Sequence, residues 1–409
     1  MSTKVNYNQE VILQAQTRRA TVEFINIVND LWYDKSIELV LFRNPLVDKR
    51  ASEVLKLIDY AKEFVSKPIS IQDALDIAKA IQQINLPSSK LDIGKLAYEC
   101  YLSSSKCEDK VAFVKHKLKD ATASKNIKPK DVVLYGFGRI GRLVARELMT
   151  RTGKGSQLRL RAIVTRGTID AKILEKRASL LRNDSVHGDF PGTVSIDAEN
   201  NSLIINGTTV NIISANNPED IDYTKYEINN ALVIDNTGAF RDKEALSRHL
   251  IAKGIDKVLL TAPGKGIPNI VHGVNHKEHD PDTVDIVSAA SCTTNAITPV
   301  LKAVEDSFGV KSGHLETIHA YTNDQNLVDN FHSKYRRGRA AGLNMVITET
   351  GAGQAVSKAL PSLEGKLTSN AIRVPVPNGS LAILNLEIKN KPVLMSSIGN
   401  KSGLEWLRV

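Results

Sequence analysis

Val132-Val133-Leu134-Tyr135-Gly136-Phe137-Gly138-Arg139-Ile140-Gly141 decides the fold. An apolar β-branched run enters a Gly-x-Gly-x-x-Gly turn, and the helical pattern Arg142 to Met149 follows at once. That strand–turn–helix context is what a dinucleotide fingerprint requires. Gly136 permits the tight turn, Gly138 lets the backbone approach a pyrophosphate, and Gly141 lets helix and strand pack closely. The helix N-terminus adds free N–H groups and partial positive charge. Taken without this context, a glycine-rich turn in an ordinary α/β sheet reads the same way.

Working outward, short β-branched runs alternate with helical ones: RLVARELM, LRLRAIV, ALVID and KVLLTAP. The pattern predicts a parallel sheet wrapped by helices. Upstream the texture differs. Residues 1–120 hold almost no glycine and place apolar residues at helical spacing (Ile71, Leu75, Ala78, Ile81), with Ser70 and Asp73 as a capping box, which predicts an all-helical segment. Helices are expected over 11–30, 52–64 and 106–119, broken at Asn44-Pro45, Lys67-Pro68 and Leu86-Pro87. The basic stretch ATASKNIKPK, residues 121–130, reads as a linker.

The chain has 409 residues, 42% hydrophobic and 24% charged, so it is a folding chain of two or three domains and not a disordered one. Its net charge of +9 is too diffuse to indicate nucleic acid but suits a phosphorylated substrate. The polar N-terminus and the lack of a long apolar run predict no signal peptide and no membrane span. Three cysteines (Cys100, Cys107, Cys292), an odd number without a Cys-x-x-Cys pair, predict neither a disulfide framework nor a metal site, hence a reducing, cytoplasmic compartment.

Ser291-Cys292-Thr293-Thr294-Asn295 lies between a strand-like run, 285–290, and a helical run, 296–308. A cysteine at a helix N-terminus has its thiolate stabilised by the dipole and free N–H groups. A lone cysteine is more often a small buried apolar residue. Here His319 follows on an alternating strand, and an imidazole facing the thiol is able to take its proton. Thr322, Arg336, Arg337, Arg339, Thr350-Gly351 and Arg373 then suit an oxyanion, although three clustered arginines read equally as a solvated loop. At the end of the second strand Arg166 stands where an NAD-type site carries a carboxylate, which leaves two options. Either Arg166 pairs with a 2′-phosphate, favouring NADP or dual use, or Asp170 performs the usual task after a short insertion.

The strings GFGRIG, NDSVHG, NTGAF, TAPGKG, SAASCTTN, ETIHAYTNDQ, RRGRAAGLN, TETGAG, LPSLEGKLT and RVPVPN occur in an order that resembles glyceraldehyde-3-phosphate dehydrogenase over residues 131–388. The first 130 residues resemble the N-terminal extension of a bacterial subgroup of that family. The resemblance implies an α/β fold: a helical extension (1–123), a linker (124–130), a Rossmann-type NAD(P)-binding domain (131–290), an α+β catalytic domain (291–388) and an unmatched tail (389–409). It implies Cys292 as nucleophile and His319 as its activator. Gly136, Gly138, Arg139, Ile140, Gly141, Arg166, Arg182, Thr237, Gly238 and Thr261 are implied on the cofactor path. Ser291, Thr293, Thr350 and Gly351 are implied around inorganic or incoming phosphate, and Thr322, Arg337 and Arg373 around the bound substrate's phosphate. The implied reaction is phosphorylating oxidation of glyceraldehyde 3-phosphate in glycolysis or gluconeogenesis, with NAD or NADP, in a homotetramer. Erythrose-4-phosphate oxidation and an inactive interaction module are the alternatives. The family's continuation beyond Ile388 is missing, which predicts a truncated or frameshifted chain of low stability and activity.

Overall fold

The computed structural model describes residues 6–61, 65, 69–102, 107–122, 128–155, 157–348 and 350–390. Most of the expected linker, the Lys67-Pro68 break, the last turn of the 52–64 helix and the tail from 391 lie outside them. The chain divides into two units, residues 1–132 with 144–161, and residues 133–143 with 162–409.

In the first unit the helix Tyr7–Lys35 runs from an Asn6 cap and buries Phe24, Ile27, Val28 and Leu31. It packs on Ile71–Gln82, whose front carries the expected capping box: the Ser70 hydroxyl accepts from Asp73 N–H, and Asp73 accepts from Ser70 N–H. Helices also form at Ala51–Ala61, Ile93–Leu102 and Lys110–Lys117. The segment is not all-helical. Ile37–Leu41 pairs in parallel with Ser89–Asp92 and antiparallel with Asn44–Pro45. The run Ile-Glu-Leu-Val-Leu is five residues long and almost entirely buried, so it carries no periodicity that separates a core strand from a helical turn.

A second correction concerns the cysteines. Cys100 and Cys107 form a disulfide, their Cα atoms 5.5 Å apart, and Cys292 is the free thiol. Counting by parity misled because the third cysteine is set apart for a different chemistry, leaving a pair seven residues apart to close a local loop.

The larger sheet has eight strands in the order Ile286–Ser288, Ile255–Leu260, Ala231–Asp235, Lys130–Tyr135, Leu158–Thr165, Thr208–Ser214, Ser202–Ile205 and Val194–Asp197. The pairs on either side are parallel until the last three strands, which turn back as antiparallel hairpins. Val133, Val164, Val233 and Val258 are fully buried, as the strands of a sheet covered on both faces must be. A second sheet, ordered Val346–Thr348, Leu367–Val374, Val310–Ala320, Ser380–Ile388, packs with the helices Cys292–Phe308 and Ala352–Ala359 around Ile297, Leu301, Leu315 and Val356. Among the described residues no helix is long and apolar enough to cross a membrane.

Candidate active site

Cys292 is the first residue of a 17-residue helix. Ser291 caps that helix: its hydroxyl oxygen accepts from Thr294 N–H and lies 2.7 Å from the Thr294 hydroxyl. The cap is what ends the preceding turn on the sulfur and leaves it exposed at the positive end of the helix. Across from it, the strand Val310–Ala320 presents His319, whose Nε2 lies 3.5 Å from Cys292 Sγ. Sequence reading placed these two together, and the structure does so.

His319 is held from its other side. Nδ1 lies 2.7 Å from the Ala320 carbonyl oxygen, and Nδ1–H donating to it leaves the Nε2 lone pair turned to the thiol. Arg373 sits opposite His319 on the parallel neighbour strand. Its Nη1 donates to the same Ala320 oxygen at 3.0 Å and lies 2.7 Å from Nδ1. Two N–H groups therefore share one acceptor, and the guanidinium opposes a further proton on the imidazole.

The electrostatics follow from this arrangement. Hydrogen bonding to His319 lowers the Cys292 pKa to about 7, against the burial that raises it, with His319 charge and Thr293 assisting. The His319 pKa is raised, chiefly by its bond to Cys292, while burial and Arg373 pull it down. Near neutral pH the pair is thus poised between thiol–imidazole and thiolate–imidazolium.

Arg373 also interacts electrostatically with Asp324, Arg337 and Cys292, and burial lowers its pKa. Arg337 forms an ion pair with Asp324. Arg373 thus interacts with the sulfur, and Asp324 links it electrostatically to Arg337. Thr293 Oγ1 is 4.0 Å from the sulfur. Thr322 is exposed and its carbonyl closes a turn with Gln325. Thr350 Oγ1 accepts from Ala352 N–H, and Gly351 precedes the helix Ala352–Ala359, with nothing within 4 Å of where a Cβ would stand.

Sequence reading missed Asp324 and also Ser380, which pairs with His319 across the antiparallel strand and accepts from Ala320 N–H at 3.3 Å. Asp324 was legible in the ETIHAYTNDQ string; Ser380 depends on register between distant strands and leaves no local signal.

A cavity of about 400 Å³ opens beside the glycine loop, lined by Tyr135, Gly138, Thr165, Arg166, Arg177 and Thr237 among others. Gly136 has φ +95°, where a side chain is strained. A Cβ on Gly141 would stand 2.3 Å from the Gly136 carbonyl oxygen, whereas one on Gly138 would meet nothing within 4 Å. The loop is therefore packed on its inner side and open where a phosphate would approach. Arg139 and Ile140 are exposed at the start of the helix Arg139–Thr150.

Asp235, fully buried, accepts from Thr237 N–H and its hydroxyl at 2.8 Å each, and its other oxygen lies 2.9 Å from His249 Nε2. These bonds fix Thr237 on the cavity wall, with Gly238 following at φ +69°. Thr261 donates its hydroxyl to the Asp235 carbonyl and joins adjacent strand ends.

Two expectations fare differently. Arg182 is not among the residues lining this cavity: its guanidinium pairs with Glu175 at 2.6 Å and donates to the Val194 carbonyl, as its position at the last turn of the helix Ala171–Arg182 allows. Asp170 caps the front of that helix, accepting from Ile173 N–H at 2.7 Å, and leaves Arg166 at the cavity.

Comparison with known proteins agrees with this geometry. Residues 130–243 match the model for the glyceraldehyde 3-phosphate dehydrogenase NAD-binding domain, and residues 291–400 match that for its C-terminal domain. A glyceraldehyde-3-phosphate dehydrogenase-like protein of Pseudomonas aeruginosa is 49% identical over 373 residues, covering 89% of this chain and 80% of the relative. That span includes much of the first 130 residues. Glyceraldehyde-3-phosphate dehydrogenase 2 of Trichormus variabilis is 40% identical over 263 residues, covering 64% and 75%, and that of Bacillus subtilis is 40% identical over 259, covering 63% and 72%. The chain belongs to the glyceraldehyde-3-phosphate dehydrogenase family.

Proposed function

We propose that this chain catalyses the phosphorylating oxidation of D-glyceraldehyde 3-phosphate to 1,3-bisphosphoglycerate, with NAD or NADP, through a thioester on Cys292. The observation that carries the reading is the 3.5 Å approach of Cys292 Sγ to His319 Nε2 beside Arg373. The thiolate adds to the aldehyde carbon, forming a C–S bond as the carbonyl π pair moves onto oxygen, which takes the imidazolium proton to become a hydroxyl. His319 Nε2 takes the proton from the resulting hydroxyl as the C–H electron pair leaves as hydride, and a thioester remains. A phosphate oxygen then attacks the thioester carbonyl, the C–S bond breaks, and the thiolate is restored. Arg337 and Arg373, with Thr322, are assigned to the substrate phosphate; Ser291, Thr293, Thr350 and Gly351 are assigned to the attacking phosphate.

The bound nicotinamide ring supplies the hydride acceptor. Gly136, Gly138, Arg139, Ile140 and Gly141 are assigned to the pyrophosphate, and Thr237 and Gly238 to the adjoining path. The open space at Gly138 and the helix N-terminus behind it fit that group. Arg166 at the cavity, with Asp170 engaged as a cap, favours NADP or dual use.

Reduction of the nicotinamide at 340 nm with glyceraldehyde 3-phosphate is expected to require inorganic phosphate for turnover and to exceed that with erythrose 4-phosphate. Sustained turnover without phosphate, or a preference for the four-carbon sugar, would count against this reading. Self-assembly into a tetramer is part of the same proposal. Leu327, Phe331, Tyr335 and Leu343 are all at least 80% exposed in one loop region, more apolar surface than an isolated subunit usually shows to water. Light scattering at micromolar concentration should give a mass near four chains, and a strictly monomeric mass would exclude it.

A further inference from the structure

Among the described residues eleven line the cavity beside the glycine loop, and they include two guanidinium groups, Arg166 and Arg177, and no carboxylate. The two reach it from different elements: Arg166 follows the strand Leu158–Thr165, and Arg177 projects from the middle of the helix Ala171–Arg182. Arg177 is the informative one. Its Nε is buried with no hydrogen-bond partner among the described residues, and burial lowers its pKa. Burying an unpaired guanidinium donor costs free energy that the fold elsewhere avoids. On the same helix Arg182 has Glu175, and the nearby Arg248 has Glu219. Two further wall groups, the Thr165 hydroxyl and the Tyr135 hydroxyl, are likewise buried without a partner. The carboxylate able to neutralise this corner, Asp170, is engaged as a helix cap, and Asp235 is engaged by Thr237 and His249.

A corner with two cations and no carboxylate suits a dianion, and it lacks the carboxylate that holds a ribose diol in an NAD-type site. Resting on the dinucleotide reading above, we propose that Arg177 and Arg166 together receive a phosphate on the adenosine ribose, so that Arg177 is a specificity-determining residue for the 2′-phosphorylated dinucleotide. A planar guanidinium from each side matches the oxygens of a phosphate dianion, which a single exposed Arg166 would hold only loosely.

Calorimetric titration of the full chain with NADP⁺ and NAD⁺, and with 2′,5′-ADP and 5′-AMP as probes of the adenosine end alone, tests this without requiring turnover. Wild type is expected to bind NADP⁺ about tenfold or more tighter than NAD⁺, and 2′,5′-ADP tighter than 5′-AMP by a similar factor. Arg177→Met, which keeps the apolar stem, should weaken NADP⁺ and 2′,5′-ADP by about tenfold or more while leaving NAD⁺ within about twofold, and Arg177→Lys should recover part of the loss. Equal weakening of both dinucleotides would place Arg177 on the pyrophosphate or in the scaffold and overturn the proposal. Unchanged NADP⁺ affinity in Arg177→Met, or a wild type that prefers NAD⁺, would overturn it as well. Binding of neither dinucleotide by wild type would instead remove the dinucleotide reading on which it stands.

Discussion

Cys292→Ser is expected to lower aldehyde-dependent reduction of the nicotinamide by about 10⁴-fold or more, a loss typical of removing a nucleophile that works as a unit with its base. The reason lies in acidity. Its bond to His319, with Thr293 assisting, brings the thiol pKa to about 7, so that a large share is thiolate under ordinary conditions. A serine hydroxyl in the same place gains the same neighbours but remains protonated, and an alkyl ester is a poorer acyl donor to phosphate than a thioester. Dinucleotide affinity should be unchanged, because Thr237 and the glycine loop that line the cofactor cavity do not involve the sulfur. Steady-state assays paired with dinucleotide titration separate the two. Retention of more than a few per cent of turnover would contradict the assignment.

His319→Asn is expected to lower turnover by about 10²- to 10⁴-fold, the range of a positioned general base. It should also let the thiol pKa rise from about 7 toward its ordinary value of about 8.5, because the largest lowering influence on Cys292 is its bond to that imidazole. These two effects have different pH behaviour. Raising the pH above the new thiol pKa restores thiolate, so alkylation of Cys292 in the variant should approach the wild-type rate at about pH 9.5. Turnover should stay low there, since no group replaces Nε2 as acceptor of the hydroxyl proton. If raising the pH rescued turnover too, His319 would act only on thiol ionisation and not in hydride departure.

Much of this was legible in residue order because the informative signals are local. The glycine loop joins a strand to a helix within ten residues, and the Ser291-Cys292 pair states both a cap and the residue it exposes. The partnership of Cys292 with His319 was readable as two residue types in compatible elements, although the distance between them was not. What escaped depended on tertiary pairing. Ile37–Leu41 is strand because Ser89–Asp92 lies alongside it, fifty residues on, and an unbroken apolar run gives no hint of that neighbour. Ser380 and Arg373 flank His319 through strand register alone. Arg177 belongs to no motif and stands out only once the cavity beside its helix is seen. Arg182, which the resemblance implies on the cofactor path, pairs here with Glu175, a carboxylate two turns back on the same helix, a contact that the resemblance does not indicate.

The central claim is that Cys292 is a primed nucleophile, and the rate of its alkylation against pH tests that most directly. With Cys100 and Cys107 bonded to each other, Cys292 is the free thiol, so iodoacetamide followed by peptide mapping reports on it alone. The expected result is a single modification at Cys292 whose rate climbs through a midpoint at about pH 7. A rate that climbs only through the ordinary thiol range of about 8.5, at the speed of an unassisted cysteine, would contradict it.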